Sequence, residues 1–272
     1  MKKQLLFLLL ALTFFSACTS KNTLDLTCFN VRYENSYDTS ENSWQNRRDK
    51  IVAKLNSDHH DIICLQEALA PQYDFLCEKL NDYSPIGVGR DDGKRLGEYA
   101  PIFYDNNKYT PLESGTQWLS STPEIPSIDW GAACIRIATW ALLETKTNGE
   151  TVLVVNTHFD HVSALARDNS AKQIIALGEE LLQKYPHTPI IITGDFNAET
   201  TDISIQTITK KYKNSRPENS DQLNYSFTGF NDDETDNVLI DFIFYKNATA
   251  SNYKVDANQL SDHLAVSCTL EW

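Results

Sequence analysis

The chain has 272 residues, 41% of them apolar and 11% aromatic. That is enough to build a sizeable core, and it excludes a disordered chain. Its 24 basic residues face 37 acidic ones, a formal net charge of −13 at pH 7, which argues against the basic face that tracking a long polyanion requires.

The N-terminus differs in kind from the rest. Lys2 and Lys3 precede an apolar run from Leu5 to Phe15, and Ser16-Ala17-Cys18 follows. A charged start, a short apolar run and a small-residue exit read as a secretory signal over residues 1–17. The run is too short for a membrane span, which needs about twenty residues. Phe15-Ser16-Ala17-Cys18 resembles the bacterial lipobox, departing from it at Phe15, where Leu is usual. The resemblance implies that Cys18 is lipidated and becomes the new N-terminus, with residues 18–23 as a short tether. The protein would then be exported and held on a bacterial membrane, periplasmic or at the cell surface, by acyl chains. The plainer alternative is an ordinary cleavage site with a chance cysteine. Processing removes Lys2 and Lys3 and no acid, leaving a net charge of about −15.

From residue 24 to 272 strand-like runs dominate, with no internal repeat and no low-complexity linker, so one domain is expected. Leu24 to Phe29 alternates and stops at Asn30. Trp44, Ile51 and Leu55 fall at helical spacing behind the potential N-caps Asn42 and Ser43, predicting an amphipathic helix. A short β-branched run, Asp61 to Leu65, ends at Gln66-Glu67. Strands are expected near 83–88, 99–104, 109–119, 135–144 and 151–156. Ser163 to Gln183 is the clearest helix, with Leu165, Ile174, Leu177 and Leu181 assigned to one face. Further strands are expected near 189–193, 238–245, 253–255 and 264–270. Helices between strands, with hairpin-like pairs elsewhere, predict sheets with helices packed outside, not a doubly wound fold. Cys28, Cys64, Cys134 and Cys268 lie in apolar runs and with Cys77 read as free thiols, mostly buried; no Cys/His spacing suggests zinc.

Polar side chains gather where the apolar runs stop, and loops there can present them. Asn30 and Glu67 end the first two strands, and Glu98 begins the strand at Tyr99. Asn156-Thr157-His158 and Gly194-Asp195-Phe196-Asn197 end two more. Asp241 sits in an apolar strand, and Ser261-Asp262-His263 opens the last one. Singly, each has a bland explanation: a turn, a cap, or a hydrogen-bonded structural histidine. Asp241, between Ile240 and Phe242, is the exception, because a buried acid demands a partner. Together they supply metal ligands, general bases and donors to phosphate oxygens.

In order, Asn30, Leu65-Gln66-Glu67, Asn156-Thr157-His158, Gly194-Asp195-Phe196-Asn197, Ile240-Asp241 and Ser261-Asp262-His263 resemble the motifs of the endonuclease/exonuclease/phosphatase superfamily. Gly97-Glu98-Tyr99 is similar to a glutamate element of its pancreatic deoxyribonuclease branch. Arg136, in Ile135-Arg136-Ile137, is similar to its central-strand arginine, expected to bind substrate. The resemblance implies an α+β fold, a two-sheet β-sandwich flanked by helices in four α/β/β/α layers. It also implies Mg²⁺, or Mn²⁺, on Glu67 with support from Asn30 and Asp262, consistent with a hard cation's preference for oxygen. His263 would pair with Asp241, and His158 with Glu98. Asn197 would donate to a non-bridging phosphate oxygen. Either Asp195 or His263 would take the proton from water.

The activity expected is hydrolysis of a small or medium phosphoester by a monomer anchored to a membrane. A nuclease and a sphingomyelinase-like lipid phosphodiesterase are the alternatives within the fold; charge does not favour nucleic acid. A catalytically retired binding lipoprotein is the alternative from another class, and the complete polar set argues against it. The aromatic stretch from Trp118 to Trp130 reads equally as a substrate-recognition loop or a covering loop.

Overall fold

A computed structural model describes residues 21–231 and 236–272, so the signal-like segment and Cys18 lie outside the described residues. In chain order the strands are β1 (Thr23–Asn30), β2 (Ile62–Gln66), β3 (Tyr83–Ile86), β4 (Ile102–Asp105), β5 (Tyr109–Trp118) and β6 (Ile137–Thr145). They continue as β7 (Thr151–His158), β8 (Ile190–Asp195), β9 (Lys213–Asn214), β10 (Asp241–Lys246), β11 (Thr249–Val255) and β12 (Val266–Glu271). The helices are α1 (Trp44–Asp58), α2 (Ala70–Lys79), α3 (Ala164–Lys184) and α4 (Ile203–Thr209).

Two mixed six-stranded sheets result, ordered β11-β12-β1-β2-β4-β3 and β5-β6-β7-β8-β10-β9. The parallel pairs are β1 with β2 and β7 with β8. A parallel pair needs a crossover, and the two periodic helices α1 and α3 supply them. Between the sheets, Leu24, Leu26, Cys28, Ile62 and Cys64 meet Val152, Val154, Ile191 and Ile243. The outer face of the second sheet packs Val155, Ile190 and Ile192 on Ile174, Leu177 and Leu181 of α3 and Ile205 and Ile208 of α4. The outer face of the first packs Phe29, Ile63 and Leu65 on Trp44, Ile51, Leu55 and Leu76. This is the four-layer sandwich expected from the sequence.

A polar cluster centred on Asn156 crosses the central layer and ties the two sheets together. Asn156 on β7, fully buried, donates through Nδ2 to the carbonyls of Leu65 (2.8 Å) and Pro101 (2.9 Å). Its Oδ1 accepts from Gln66 Nε2 on β2 at 2.7 Å. Glu67 follows Gln66 and His158 lies two residues beyond Asn156, so this bond sets the separation of two candidate site residues on different sheets. Gln66 and Asn156 thus serve as a joint between the sheets.

Several local expectations differ from the structure. Leu165 is 59% exposed, and Ala166, Ser170 and Ala171 join Ile174, Leu177 and Leu181 on the buried face of α3. The strand expected from Tyr99 begins at Ile102; Tyr99 makes only a lone bridge to Ala68, leaving Glu98 in a loop. Asp241 is the first residue of β10, not an interior one. Cys134 lies in a half-buried loop. Helices α2 and α4 were not expected. Among the described residues no helix is long and apolar enough to cross a membrane.

Candidate active site

Sheet register aligns the first group of residues. In the parallel pair His158 lies beside Asp195, and in the antiparallel pair Asp195 lies beside Asp241, so the three form one row across the end of the second sheet. Gly194 makes that row possible. At φ +149°, a side chain there would collide with the Thr157 carbonyl, so β7 and β8 approach closely only over a glycine. The first sheet ends on the same side: Asn30 pairs with Gln66, and Glu67 turns away with φ +66°. His263 arrives from the loop before β12, bridged to Phe227.

Asn30, Glu67, Asp195, Asp241, Asp262, His158 and His263 therefore share one mouth. Asn30 Nδ2 donates to Glu67 Oε1 at 2.8 Å and to Asp195 Oδ2 at 3.0 Å. The backbone N–H of Tyr33 donates to Glu67 Oε2 at 3.1 Å. His263 Nδ1 lies 2.8 Å from Asp241 Oδ2, and its Nε2 lies 3.6 Å from Asp195 Oδ2. His158 Nε2 stands 3.4 Å from the same Asp195 oxygen. Asn197, at φ +46°, places Nδ2 3.0 Å from His158 Nε2, while its backbone N–H donates to Asp195 Oδ1 at 2.9 Å. Asp195 Oδ2 is thus the point on which both sheets converge.

Burial and charge tune these groups in opposite directions. Burial opposes the charged His263 ring, but the carboxylates of Asp241, Asp195 and Asp262 outweigh it and push its pKa up to about 10. His158, equally buried but facing Arg136 and Arg90, is driven well below the ordinary histidine range. Burial raises Asp195 to about 6, the charge of Asp241 adding to it and that of His263 opposing it. Glu67 is raised by burial and by the charge of Asp262, and Glu98 mainly by burial. At neutral pH His263 is therefore a cation, His158 a neutral ring and Asp195 a carboxylate within reach of its protonated form.

Some expected partnerships are replaced by others. His158 Nδ1 is 3.7 Å from Glu98, too far for a hydrogen bond, and that nitrogen is buried without a partner among the described residues. Glu98 is instead held by both terminal nitrogens of Arg90, at 2.7 and 2.9 Å. Asp262 does not join Glu67: its Oδ2 accepts from Arg32 Nη1 at 2.6 Å and its Oδ1 from Ser261. Asn30 turns its amide nitrogen toward the carboxylates, its oxygen being taken by the N–H of Arg32. Arg136, 4% exposed, contacts His161 Nδ1 at 3.0 Å and lies 3.6 Å from Asp160. Arg32, Arg90 and Asp160 are thus site-shaping residues that the sequence reading passed over. Arg32 had a signal, standing two residues past Asn30; Arg90 and Asp160 act through loops with no periodicity to read.

The carboxylates of the mouth fit a cation, whereas the protonated His263 ring beside them has no free lone pair to give one. Carboxylate oxygens of Glu67 and Asp195 and a ring nitrogen of His263 lie within 4.8 Å of one another. Two buried carboxylates with a raised proton affinity form an oxygen-rich pair suited to a hard divalent ion. Asn30 sits between the two and, by rotating its amide, can offer oxygen in place of nitrogen.

Residues 28–263 match the Endonuclease/Exonuclease/phosphatase family. Among solved structures, an endonuclease/exonuclease/phosphatase from Bacteroides vulgatus is 36% identical, covers 92% of this chain and 99% of its own, and superposes with a TM-score of 0.86. A mannosyl-6-phosphatase from Bacteroides thetaiotaomicron is 31% identical over 91% of this chain and 99% of its own, with a TM-score of 0.85. The Ccr4 exoribonuclease subunit of the CCR4-Not complex from Mycosarcoma maydis is 28% identical over 199 residues, 57% of this chain and 30% of that protein. With its fold, motif order and site geometry all in agreement, the chain belongs to the endonuclease/exonuclease/phosphatase family, whose members hydrolyse phosphoesters.

Proposed function

We propose that the protein is a Mg²⁺-type phosphatase acting on a small phosphate ester, with a phosphorylated sugar as the favoured substrate class. The observation that carries this reading is the convergence of His158, His263 and Asn30 on Asp195 Oδ2 beside Glu67. Enzymes of this family are generally dependent on a divalent metal, and Glu67, with Asn30 beside it, would hold it, leaving Asp195 free to act on water. When bound, such an ion neutralises a phosphoryl oxygen and the charge growing on the leaving oxygen.

The chain's own residues do the rest. Asp195, near pKa 6, orients water and takes its proton as the water oxygen bonds phosphorus and the ester P–O bond breaks, the departing alkoxide gaining a proton from solvent. His263, kept as a cation by Asp241, donates from Nε2 to a phosphoryl oxygen and does not serve as the base. His158, neutral, is oriented by Asn197 and completes the wall against which the phosphate sits. The sugar preference rests on 31% identity, nearly end to end, with the mannosyl-6-phosphatase, and on the acidic balance of the chain.

The test is a phosphate-release assay over mannose 6-phosphate, p-nitrophenyl phosphate, bis(p-nitrophenyl) phosphate and duplex DNA, with Mg²⁺ or with chelator. We expect the monoesters to be turned over fastest and chelation to stop them. Plasmid nicking at nanomolar enzyme, with the monoesters untouched, would replace this reading with a nuclease.

A further inference from the structure

A cavity of about 260 Å³ opens beside the catalytic mouth, between the first turns of α1 and the loops that carry Phe230 and Leu260. It is smaller than the roughly 300–1,000 Å³ typical of pockets for drug-sized ligands. Its polar lining comes from Glu41, Asn42, Arg47, Lys50 and Gln259, with Phe230 as the apolar surface.

Arg47 is the anomaly. It is 4% exposed, yet none of its hydrogen bonds goes to a carboxylate. Nε donates to the Asn42 carbonyl at 2.7 Å, and Nη1 to the carbonyls of Val31 and Leu260 at 2.9 and 3.0 Å. Nη2 is buried with no partner among the described residues. Asp38 and Asp262, whose charges reach Arg47, are hydrogen-bonded to Arg32 instead. A buried guanidinium with a spare donor is costly unless an acceptor comes to it. Lys50 and Glu41 likewise make no ion pair among the described residues, and Gln259 spends one Nε2 hydrogen on Thr228 Oγ1 at 2.8 Å and keeps the other, so the cavity still holds donors and an acceptor not committed to the protein.

The cavity and the mouth share a wall. Phe230 stands between two guanidinium groups, 5.7 Å from that of Arg32 and 5.5 Å from that of Arg47. Arg32 in turn bonds Asp262 at the mouth. Leu260, whose carbonyl Arg47 holds, lies three residues before His263.

We propose that this cavity is the leaving-group subsite, built for a polyhydroxylated ring such as a hexose whose phosphate lies against His263 and Asp195. This rests on the phosphatase reading and deepens it. Arg47, Lys50 and Gln259 donate to ring hydroxyl oxygens, Glu41 accepts from a hydroxyl, and Phe230 covers the ring's C–H surface.

The test compares wild type with Gln259→Ala, Lys50→Ala and the double variant; Arg47 is left alone because it ties α1 to two loops. The measured quantity is the ratio of kcat/KM for mannose 6-phosphate to that for p-nitrophenyl phosphate. Each lost hydrogen bond should lower the ratio about fivefold, and the double variant about 25-fold. In parallel, calorimetry in chelator measures binding of mannose 6-phosphate without turnover, and affinity should fall in the same order. A ratio and an affinity both within twofold of wild type in the double variant would overturn the subsite. So would wild-type enzyme that cleaves the aryl phosphate and neither cleaves nor binds the sugar phosphate, while leaving the phosphatase reading intact. If no phosphate ester is cleaved the phosphatase reading fails, and calorimetry alone then decides the cavity: no binding, or equal binding by wild type and variant, counts against it.

Discussion

Arg32, Glu67 and Asn197 hold left-handed backbone angles of +56°, +66° and +46°, and all three side chains serve the mouth. For residues other than glycine such angles cost on the order of 1–3 kcal/mol each and persist only when surrounding bonds fix them. Here Asn30 and the Tyr33 N–H fix Glu67, and Asp195 fixes Asn197. Ala at 67 keeps the backbone but removes the proposed ligand, so Glu67→Ala should lose activity by about a thousandfold or more at ordinary Mg²⁺ with its circular dichroism unchanged. Activity that survives both that change and chelation rules out a metal mechanism. His263→Ala should lower kcat by about 10² to 10⁴, with Asp241→Asn close behind. The pH profile of kcat/KM carries the signs of the two shifts. Activity rises as Asp195 loses its proton, at or below about pH 6, and falls as His263 loses its own near pH 10. In metal-free protein, NMR should find the His263 ring protonated through pH 8, and Asp241→Asn should lower that titration toward the ordinary histidine value; a neutral His263 at pH 7 in the unsubstituted protein contradicts the assignment of Asp195 as base.

At the scale of elements, the joint between the sheets makes its own prediction. Asn156→Leu strands two carbonyls and the Gln66 amide in the core. It should cost about 3 kcal/mol in urea denaturation and reduce kcat with it, because Glu67 and His158 hang from the two halves of that joint. A loss below about 1 kcal/mol would show that the bond does not hold the sheets. The same elements explain what was legible in the sequence. Strands β1, β2, β7 and β8 could be read because buried strands leave apolar runs that end at polar residues, and α1 and α3 because their buried faces repeat every three to four residues. Helix α2 could not: its start is marked by Pro71 and by Gln72, whose side chain bonds the backbone of Leu69, Glu34 and Arg32, contacts invisible to periodicity. The seven-residue α4 is too short to show a face. Within the site, the His263–Asp241 contact is the one that the family resemblance implies, whereas strand patterning alone places Asp241 inside its strand rather than at its start. The replacement of a His158–Glu98 bond by Arg90–Glu98 follows from a loop folding back on itself, and no local pattern encodes that.

At the scale of the whole molecule, charge constrains the substrate. The excess of acids over bases, 37 to 24, argues against the several phosphate contacts that make nucleic-acid binding steeply salt-dependent. Turnover of a small phosphomonoester should change little between 50 and 200 mM salt; a fall of a hundredfold or more would point to a polyanionic substrate. The lipobox-like Cys18 carries a separate proposal, that the protein is exported and lipid-anchored. Cys18→Ser should then move it from the membrane fraction to the soluble one, and an unsubstituted protein already soluble and unlipidated contradicts it.

Strand β1 gives that anchor a direction. It starts at Thr23, beside the chain's far end at Trp272, and finishes at Asn30 in the mouth, seven residues on and so roughly 23 Å away. A tether running from Cys18 to Asn22 spans at most about 18 Å. Were Cys18 lipidated as proposed, the domain would stand on its N-terminal pole like a lamp on a short post, its mouth turned outward from the bilayer. Headgroups of that bilayer would then lie behind the enzyme, whereas solutes in the surrounding fluid would meet the mouth first. Such an orientation suits a scavenger of dissolved phosphate esters and disfavours an enzyme that grazes on its own membrane.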